Sequence, residues 1–238
     1  MFRVEQEHWW YLGMQSITRS ILERWYVPGA GLAILDAGCG TGAAMTTYLT
    51  EYGVVTGLDL SALALAFCRS RKAHRLARAS VTQLPFPDES FELVTSFDVL
   101  YERGVVDDAT ALGEFRRVLM DGGRVLLRLP AYDWLRGQHD KGIHTARRYT
   151  ASQVKRLLQE NGFAVEHISY ANMFLFPAAL AKRTVERLWP PRMEQSDLAF
   201  SAGPFGRVLQ NILAMEAPLV SHLRMPFGLS VVAVGRKG

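Results

Sequence analysis

The stretch Ala33-Ile34-Leu35-Asp36-Ala37-Gly38-Cys39-Gly40-Thr41-Gly42 decides the fold. Ala33-Ile34-Leu35 reads as a buried strand, and glycines at alternate positions follow it directly. Glycine lets the chain turn at positive φ and lets backbone come close to a ligand. Thr41 to Tyr52 then reads as a helix. Strand, Gly38-x-Gly40-x-Gly42-Ala43 and helix make a dinucleotide-type fingerprint. Asp59 closes the next strand, Val54 to Leu58, about 20 residues on, where an acid can bind ribose hydroxyls.

Outward from this loop, strands and helices alternate. Ser61 is placed to cap a helix running through Arg71, and Arg75 to Ala79 reads as a short third strand. Phe91 to Ser96 is the fourth strand. Asp107-Asp108 opens a helix with Ala111, Leu112, Phe115, Val118 and Leu119 on one face, ended by Asp121-Gly122-Gly123. Arg124 to Leu129 is the fifth strand. Thr150 and Gln153 form a capping box for a helix that stops at Asn161-Gly162. Phe163 to Ser169 and Leu229 to Val234 are the sixth and seventh strands. Before the glycine loop, Ser16 to Trp25 has apolar residues at helical spacing, preceded by the aromatic run His8-Trp9-Trp10-Tyr11, a lid or a core clamp.

This alternation predicts an α/β fold: a Rossmann-like, seven-stranded, mostly parallel sheet with helices on both faces. Residues 1–30 form an N-terminal helical and aromatic cap. Residues 31–171 are the core, 172–226 a helical insertion or lid, and 227–238 the last strand of the core.

The 238 residues, 49% hydrophobic and 21% charged, suit one sizeable globular domain. A net charge of +4 permits an anionic substrate, nucleic acid or an anionic membrane surface without choosing among them. Two cysteines make neither a disulfide framework nor a metal-ligand set, which fits a reducing, cytoplasmic setting. The N-terminus is too polar for a signal peptide. The longest apolar stretch, Met173 to Ala181, is far shorter than a transmembrane segment.

A glycine loop alone also permits a nicotinamide enzyme. Asp36 separates the two readings. It stands where a pyrophosphate would approach, and a buried carboxylate there repels an anion but welcomes an ammonium group.

At this point the sequence resembles the class I S-adenosylmethionine (SAM)-dependent methyltransferases, particularly the branch of small-molecule and quinone methyltransferases. The resemblance rests on Ile34 to Gly42, Gly57-Leu58-Asp59-Leu60-Ser61, Leu84-Pro85-Phe86-Pro87-Asp88-Glu89-Ser90-Phe91-Glu92-Leu93-Val94 and Glu114 to Gly123. These lie in the family's order over about the middle hundred residues. The resemblance implies SAM as cofactor and roles for particular residues. Asp36 faces the methionine ammonium, directly or through water. Gly38 and Gly40 pass backbone beneath the cofactor. Asp59 holds the ribose and Leu60 packs on adenine. Ser96 and Phe97 flank the methionine portion. Where the family usually has an acid for the adenine amino group, this chain has Ser80, followed by Val81.

Methyl transfer from a sulfonium is a direct displacement, in which the protein aligns the acceptor and excludes water. The acceptor face is expected at the ends of the fourth and fifth strands, under the insertion. Candidates there are Tyr101 as a catalytic group, and Tyr132, Arg147 and Arg148, with Tyr11 from the cap, as substrate contacts. His139 or His144 would serve as a general base, since imidazole titrates near neutrality. Three functional readings compete for the run His139 to Tyr149: a base, a metal site on His139, Asp140 and His144, or an anion grip through Arg147 and Arg148. Beside them stands a structural loop in which Asp140 pairs with an arginine. The metal site is the weakest, and none is expected.

The leading function is methyl transfer to a small molecule, anionic or lipid-linked acceptors included. The alternatives are an RNA methyltransferase and a non-catalytic SAM-binding protein. No Asn-Pro-Pro-Tyr-like motif follows the fourth strand, where Ser96-Phe97-Asp98-Val99 stands, so a nucleic-acid partner is disfavoured. The basic and apolar residues of the insertion allow peripheral membrane contact.

Overall fold

The structure is a computed structural model, and its described residues are 5, 7–102, 104–105, 107–136, 147–188 and 205–238. Seven strands form one sheet in the order β3-β2-β1-β4-β5-β7-β6. They are β1 (Leu32–Ala37), β2 (Gly53–Asp59), β3 (Leu76–Arg78), β4 (Phe91–Phe97), β5 (Leu119–Pro130), β6 (Phe163–Ala171) and β7 (Ser230–Lys237). β1 to β5 pair in parallel, whereas β7 runs antiparallel between β5 and β6. The sheet is therefore mostly parallel, with its winding reversed between β1 and β4. Ligands of such sheets sit in the crevice beyond the strands' carboxyl ends at that reversal.

Successive residues of the strands feed opposite cores, as a period of two requires. Ile34 and Leu126 join one core, with α1 (Trp9–Leu22), α2 (Ala43–Thr46), α3 (Ala62–Ser70) and α7 (Gly206–His222). Leu35, Val125 and Leu127 join the other, with α4 (Asp108–Val118) and α5 (Ala151–Glu160). The remaining described helix, α6 (Phe176–Leu188), precedes α7 in the insertion. Helices α1 and α7 approach closely because Gly13 lacks a side chain; a Cβ there would lie 2.4 Å from Leu213 Cδ1. Arg24 ties them to the sheet, donating from Nη1 to Ser221 O (2.7 Å) beside His167 Nδ1 (2.9 Å).

Predicted caps are in place. Ser61 accepts from Ala64 N, Asp107 from Ala109 N and Thr110 N, and Thr150 and Gln153 complete the reciprocal capping box. Three boundaries differ. The helix expected over Thr41 to Tyr52 is the four-residue α2 followed by a 3-10 turn at Leu49–Glu51. Thr46 and Thr47 turn their hydroxyls back onto Gly42 O and Ala43 O (2.6 and 2.7 Å), back-bonds of a kind that bends and slightly weakens a helix. Helix α1 starts at Trp9, so the aromatic run is helical, and His8 caps it by accepting from Trp10 N at 3.3 Å. Helix α4 stops at Val118, and β5 already contains Asp121-Gly122-Gly123.

Candidate active site

The glycine loop leaves β1 at the point where the sheet reverses. Gly38 and Gly40 have φ of 86° and 55°. A Cβ on Gly38 would lie 2.2 Å from Val99 Cγ2, so only glycine lets the loop pass beneath the segment after β4. A Cβ on Gly40 would meet nothing within 4 Å, because that residue faces open space. The loop is fastened from below: Leu58 O accepts from Gly38 N (2.7 Å) and Cys39 N (2.9 Å). Asp59 fastens it from the side, accepting Gly40 N on Oδ2 (2.9 Å) and Ser61 N on Oδ1 (2.8 Å). Each carboxylate oxygen keeps acceptor capacity for a hydroxyl.

From above, Glu5 accepts from the Thr41 hydroxyl and from Arg71 Nη2 at 3.1 Å, while Arg71 Nε donates to Thr41 O at 3.0 Å. Cys39 and Cys68 are both buried and free, with sulfurs 3.8 Å apart. Position 68 backs the loop, since a Cβ on Gly42 would lie 2.9 Å from its sulfur.

Asp36 is 2% exposed and accepts one hydrogen bond, from Thr95 Oγ1 at 2.9 Å. Burial pushes its carboxyl up to about 6, against the opposing pull of that hydrogen bond and of Arg128. An ionised carboxylate so placed is poorly compensated until a cation joins it.

A cavity of about 1680 Å³ opens over the loop. Pockets for drug-sized molecules span about 300–1,000 Å³, so this one has room for two ligands side by side. Of the expected cofactor residues, Asp36, Gly38, Gly40, Asp59, Leu60, Ser80, Val81 and Phe97 line it. Leu60 is 59% exposed, which rules out a core role and leaves an apolar platform at the cavity wall. The Ser80 hydroxyl is engaged with Thr82, at 2.7 Å from Oγ1 and 3.2 Å from its N–H. Ser96 lies behind the wall, 1% exposed, and its hydroxyl has no hydrogen-bond partner among the described residues.

The expected acceptor residues divide. Tyr11, Tyr101 and Arg148 line the cavity. Burial, then the charges of Glu5 and Asp98, pushes the Tyr11 phenol up to about 12. Burial first, then Asp98 and Glu102, holds the Tyr101 phenol well above its usual range. Both are neutral hydrogen-bonding groups at physiological pH rather than bases. Tyr132 and Arg147 do not line the cavity. Tyr132, at φ 55°, is stacked between Trp134 and Tyr170, with ring centroids 5.3 and 5.1 Å away. Arg147 pairs with Asp108 at 3.0 Å and donates to Val105 O at 2.5 Å. His139 and His144 lie outside the described residues. Among the described residues no group of three His, Cys, Asp or Glu is arranged to hold a metal.

Sequence reasoning missed Glu5, Glu102 and Arg128, all of which line the cavity. Arg128 had left a signal, a charge inside the otherwise apolar run Val125-Leu126-Leu127-Arg128-Leu129. Its Nε and Nη2 hold Asp98 Oδ2 at 2.8 and 2.6 Å, and its guanidinium lies 4.9 Å from the Phe97 ring centroid. Glu5 and Glu102 sit in stretches without periodic pattern, and only the folded chain brings them to the cavity.

The donor set fits the cofactor that the sequence resemblance implies. A sealed carboxylate awaits a cation, a glycine cradle is open where a Cβ would project, and a second acid borders it with acceptor capacity.

Residues 35–127 match the model of the family described as "Methyltransferase domain". The chain is 30% identical to the demethylmenaquinone methyltransferase of Clavibacter sepedonicus, over 66% of its own length and 65% of that protein's. It is likewise 30% identical to a fatty-acid O-methyltransferase of Mycolicibacterium smegmatis, over 71% of itself and 63% of the relative. The chain thus spans less than two thirds of the length of these curated relatives. Among solved structures, the geranyl diphosphate C-methyltransferase of Streptomyces coelicolor, crystallised with Mg2+, geranyl diphosphate and S-adenosyl-L-homocysteine, superposes with a TM-score of 0.61. It is 16% identical, and the match covers 93% of this chain and 79% of that one.

Proposed function

We propose that this chain, whose residues 35–127 match a methyltransferase domain, is a class I, SAM-dependent methyltransferase that transfers the methyl group of SAM to a small-molecule acceptor with a substantial apolar part. The observation that carries this reading is the sealed Asp36 carboxylate at the carboxyl edge of β1, beside an open glycine cradle. That pairing suits a ligand presenting an ammonium group and opposes a pyrophosphate.

In this reading Asp36 meets the methionine ammonium, and the Gly38–Gly40 backbone runs beneath the cofactor. Asp59 takes the ribose hydroxyls, Leu60 the adenine face, and Ser80 and Val81 the adenine edge. Ser96 and Phe97 back the methionine portion. SAM supplies an activated methyl carbon and a thioether leaving group, so the chain's own work is alignment and exclusion of water. Tyr11 and Tyr101, held as neutral phenols, orient the acceptor by hydrogen bonds. His139 or His144, which lie outside the described residues, serves as the general base. The described parts of residues 1–30 and 172–226 serve as two covers on the core. Leu175, Ala178 and Ala179 of the second cover, beside Trp10 and Met14 of the first, give the acceptor side an apolar wall. The volume left beside a cofactor and this apolar wall support the acceptor class. The names of the quinone and fatty-acid relatives agree with it.

Calorimetry with SAM, S-adenosylhomocysteine and NAD tests the donor. Micromolar binding of the first two without NAD is expected, and NAD binding alone would sink the proposal. Mass spectrometry after incubation with SAM and lipophilic phenols, quinols and carboxylic acids tests the acceptor. A mass gain of one methyl group on such a compound is expected, and on RNA or on no compound is not. Loss of turnover with retained SAM affinity in His139→Ala or His144→Ala would identify the base.

A further inference from the structure

We infer that Arg128, on the fifth strand, binds the carboxylate of the cofactor's methionine moiety, so that Asp36 and Arg128 together read the amino-acid zwitterion. The inference rests on the SAM-binding reading above and adds a residue to it.

The register of the sheet places the two side chains. Asp36 pairs with Thr95 of β4, Thr95 with Leu126 of β5, and Phe97 with Arg128. Residues two apart on a strand share a face, so Asp36, Thr95, Phe97 and Arg128 project from the same side of the sheet. Arg128 stands two strands away from Asp36 and one pleat nearer the carboxyl edge. With about 4.8 Å between strands and 3.3 Å per residue, their Cα atoms are about 12 Å apart. A short acid and a long guanidinium reach into that gap from its two ends, and both line the cavity.

The guanidinium is prepared for an anion. Its side chain is 14% exposed, and Asp98 grips Nε and Nη2 through a single oxygen. Among the described residues no hydrogen bond ends on its Nη1. Asp98 fixes the plane of the fork at φ 60°, a left-handed backbone conformation that costs a non-glycine residue energy. Phe97 supports the flat face at 4.9 Å. The result is a rigid cation with donor capacity left over, the arrangement in which arginine recognises carboxylates. The other cations at the cavity stand elsewhere. Arg148 is anchored to Ala131 O at 3.0 Å, and Lys182 and Arg183 belong to the wall formed by α6.

The test compares two ligands that differ only in the carboxylate: S-adenosylhomocysteine and its decarboxylated analogue, S-adenosyl-3-thiopropylamine. Calorimetry on the wild-type chain should show the first binding at least about tenfold more tightly, as a charged hydrogen bond requires. Arg128→Met should remove that preference while keeping affinity for the analogue within about threefold. Arg128→Lys, which keeps the charge and loses the fork, should retain part of it, and it serves if the methionine variant fails to fold by its thermal transition. Equal affinities in the wild type, or an undiminished preference in a folded Arg128 variant, would overturn the inference. Binding of neither ligand by the wild type would instead overturn the SAM reading itself.

Discussion

Thr95 and Asp36 meet across β4 and β1 in a hydrogen bond of 2.9 Å, sealed from solvent at the point where the sheet reverses. Thr95 donates, so it favours the ionised acid, while burial favours the protonated one and prevails, raising the carboxyl to about 6. A ligand ammonium requires the ionised form. Affinity for SAM should therefore be full above pH 7 and fall by up to about tenfold per pH unit below about 6. Thr95→Val removes the donor and should move that midpoint upward. Calorimetry between pH 5 and 8 checks both, and a flat profile would remove Asp36 from the ammonium site.

The same acid should weaken the ligand-free fold. Its folded value lies above its unfolded one, so the stability it contributes is present below about pH 4 and is lost as pH rises through about 6. Asp36→Asn should then raise the unfolding free energy at pH 7.5 by ~1–3 kcal/mol and leave it nearly unchanged at pH 4, while SAM affinity collapses. Denaturant titrations at the two pH values measure this. A variant less stable than the parent at both would show that the acid is structural.

Two glycines of the loop should fail differently. Gly38→Ala drives a methyl group to 2.2 Å from Val99 and should cost several kcal/mol of stability or prevent folding. Gly40→Ala meets nothing within 4 Å, so it should cost only the ~1–2 kcal/mol of a left-handed alanine. Its methyl group projects toward the cofactor and should lower SAM affinity by tenfold or more. Thermal melts and calorimetry on the pair separate the two effects; a fully active Gly40 variant would contradict the cradle.

Glu216 is fully buried in α7 and accepts from Met173 N at 2.9 Å and Phe174 N at 3.4 Å, just before α6. Burial raises its carboxyl, and these bonds from the chain oppose the rise. Glu216→Ala strands buried N–H groups and should destabilise the protein by ~2–4 kcal/mol, whereas Glu216→Gln should recover much of that. Because α6 forms part of the apolar wall, acceptor affinity should fall more than SAM affinity. Equal losses for both ligands would mean that the contact supports the whole fold rather than the wall.

The glycine loop, the capped helices, the succession of strands along the chain and the two acids Asp36 and Asp59 were legible in the sequence because each is written in local pattern: glycine spacing, alternation, caps and acids at strand ends. The side of the cavity built on the glycine loop follows from those patterns. The opposite side does not, because residues distant in sequence compose it. Tyr132 and Arg147 sit where sequence order promised the acceptor, yet aromatic stacking and Asp108 hold them outside the cavity. Arg128 reads as an isolated charge until sheet register sets it on the face of Asp36. Side chains on one element follow from its period, and the sequence alone determined those. Which elements face one another depends on packing over the whole chain, and that was decided only in the tertiary structure.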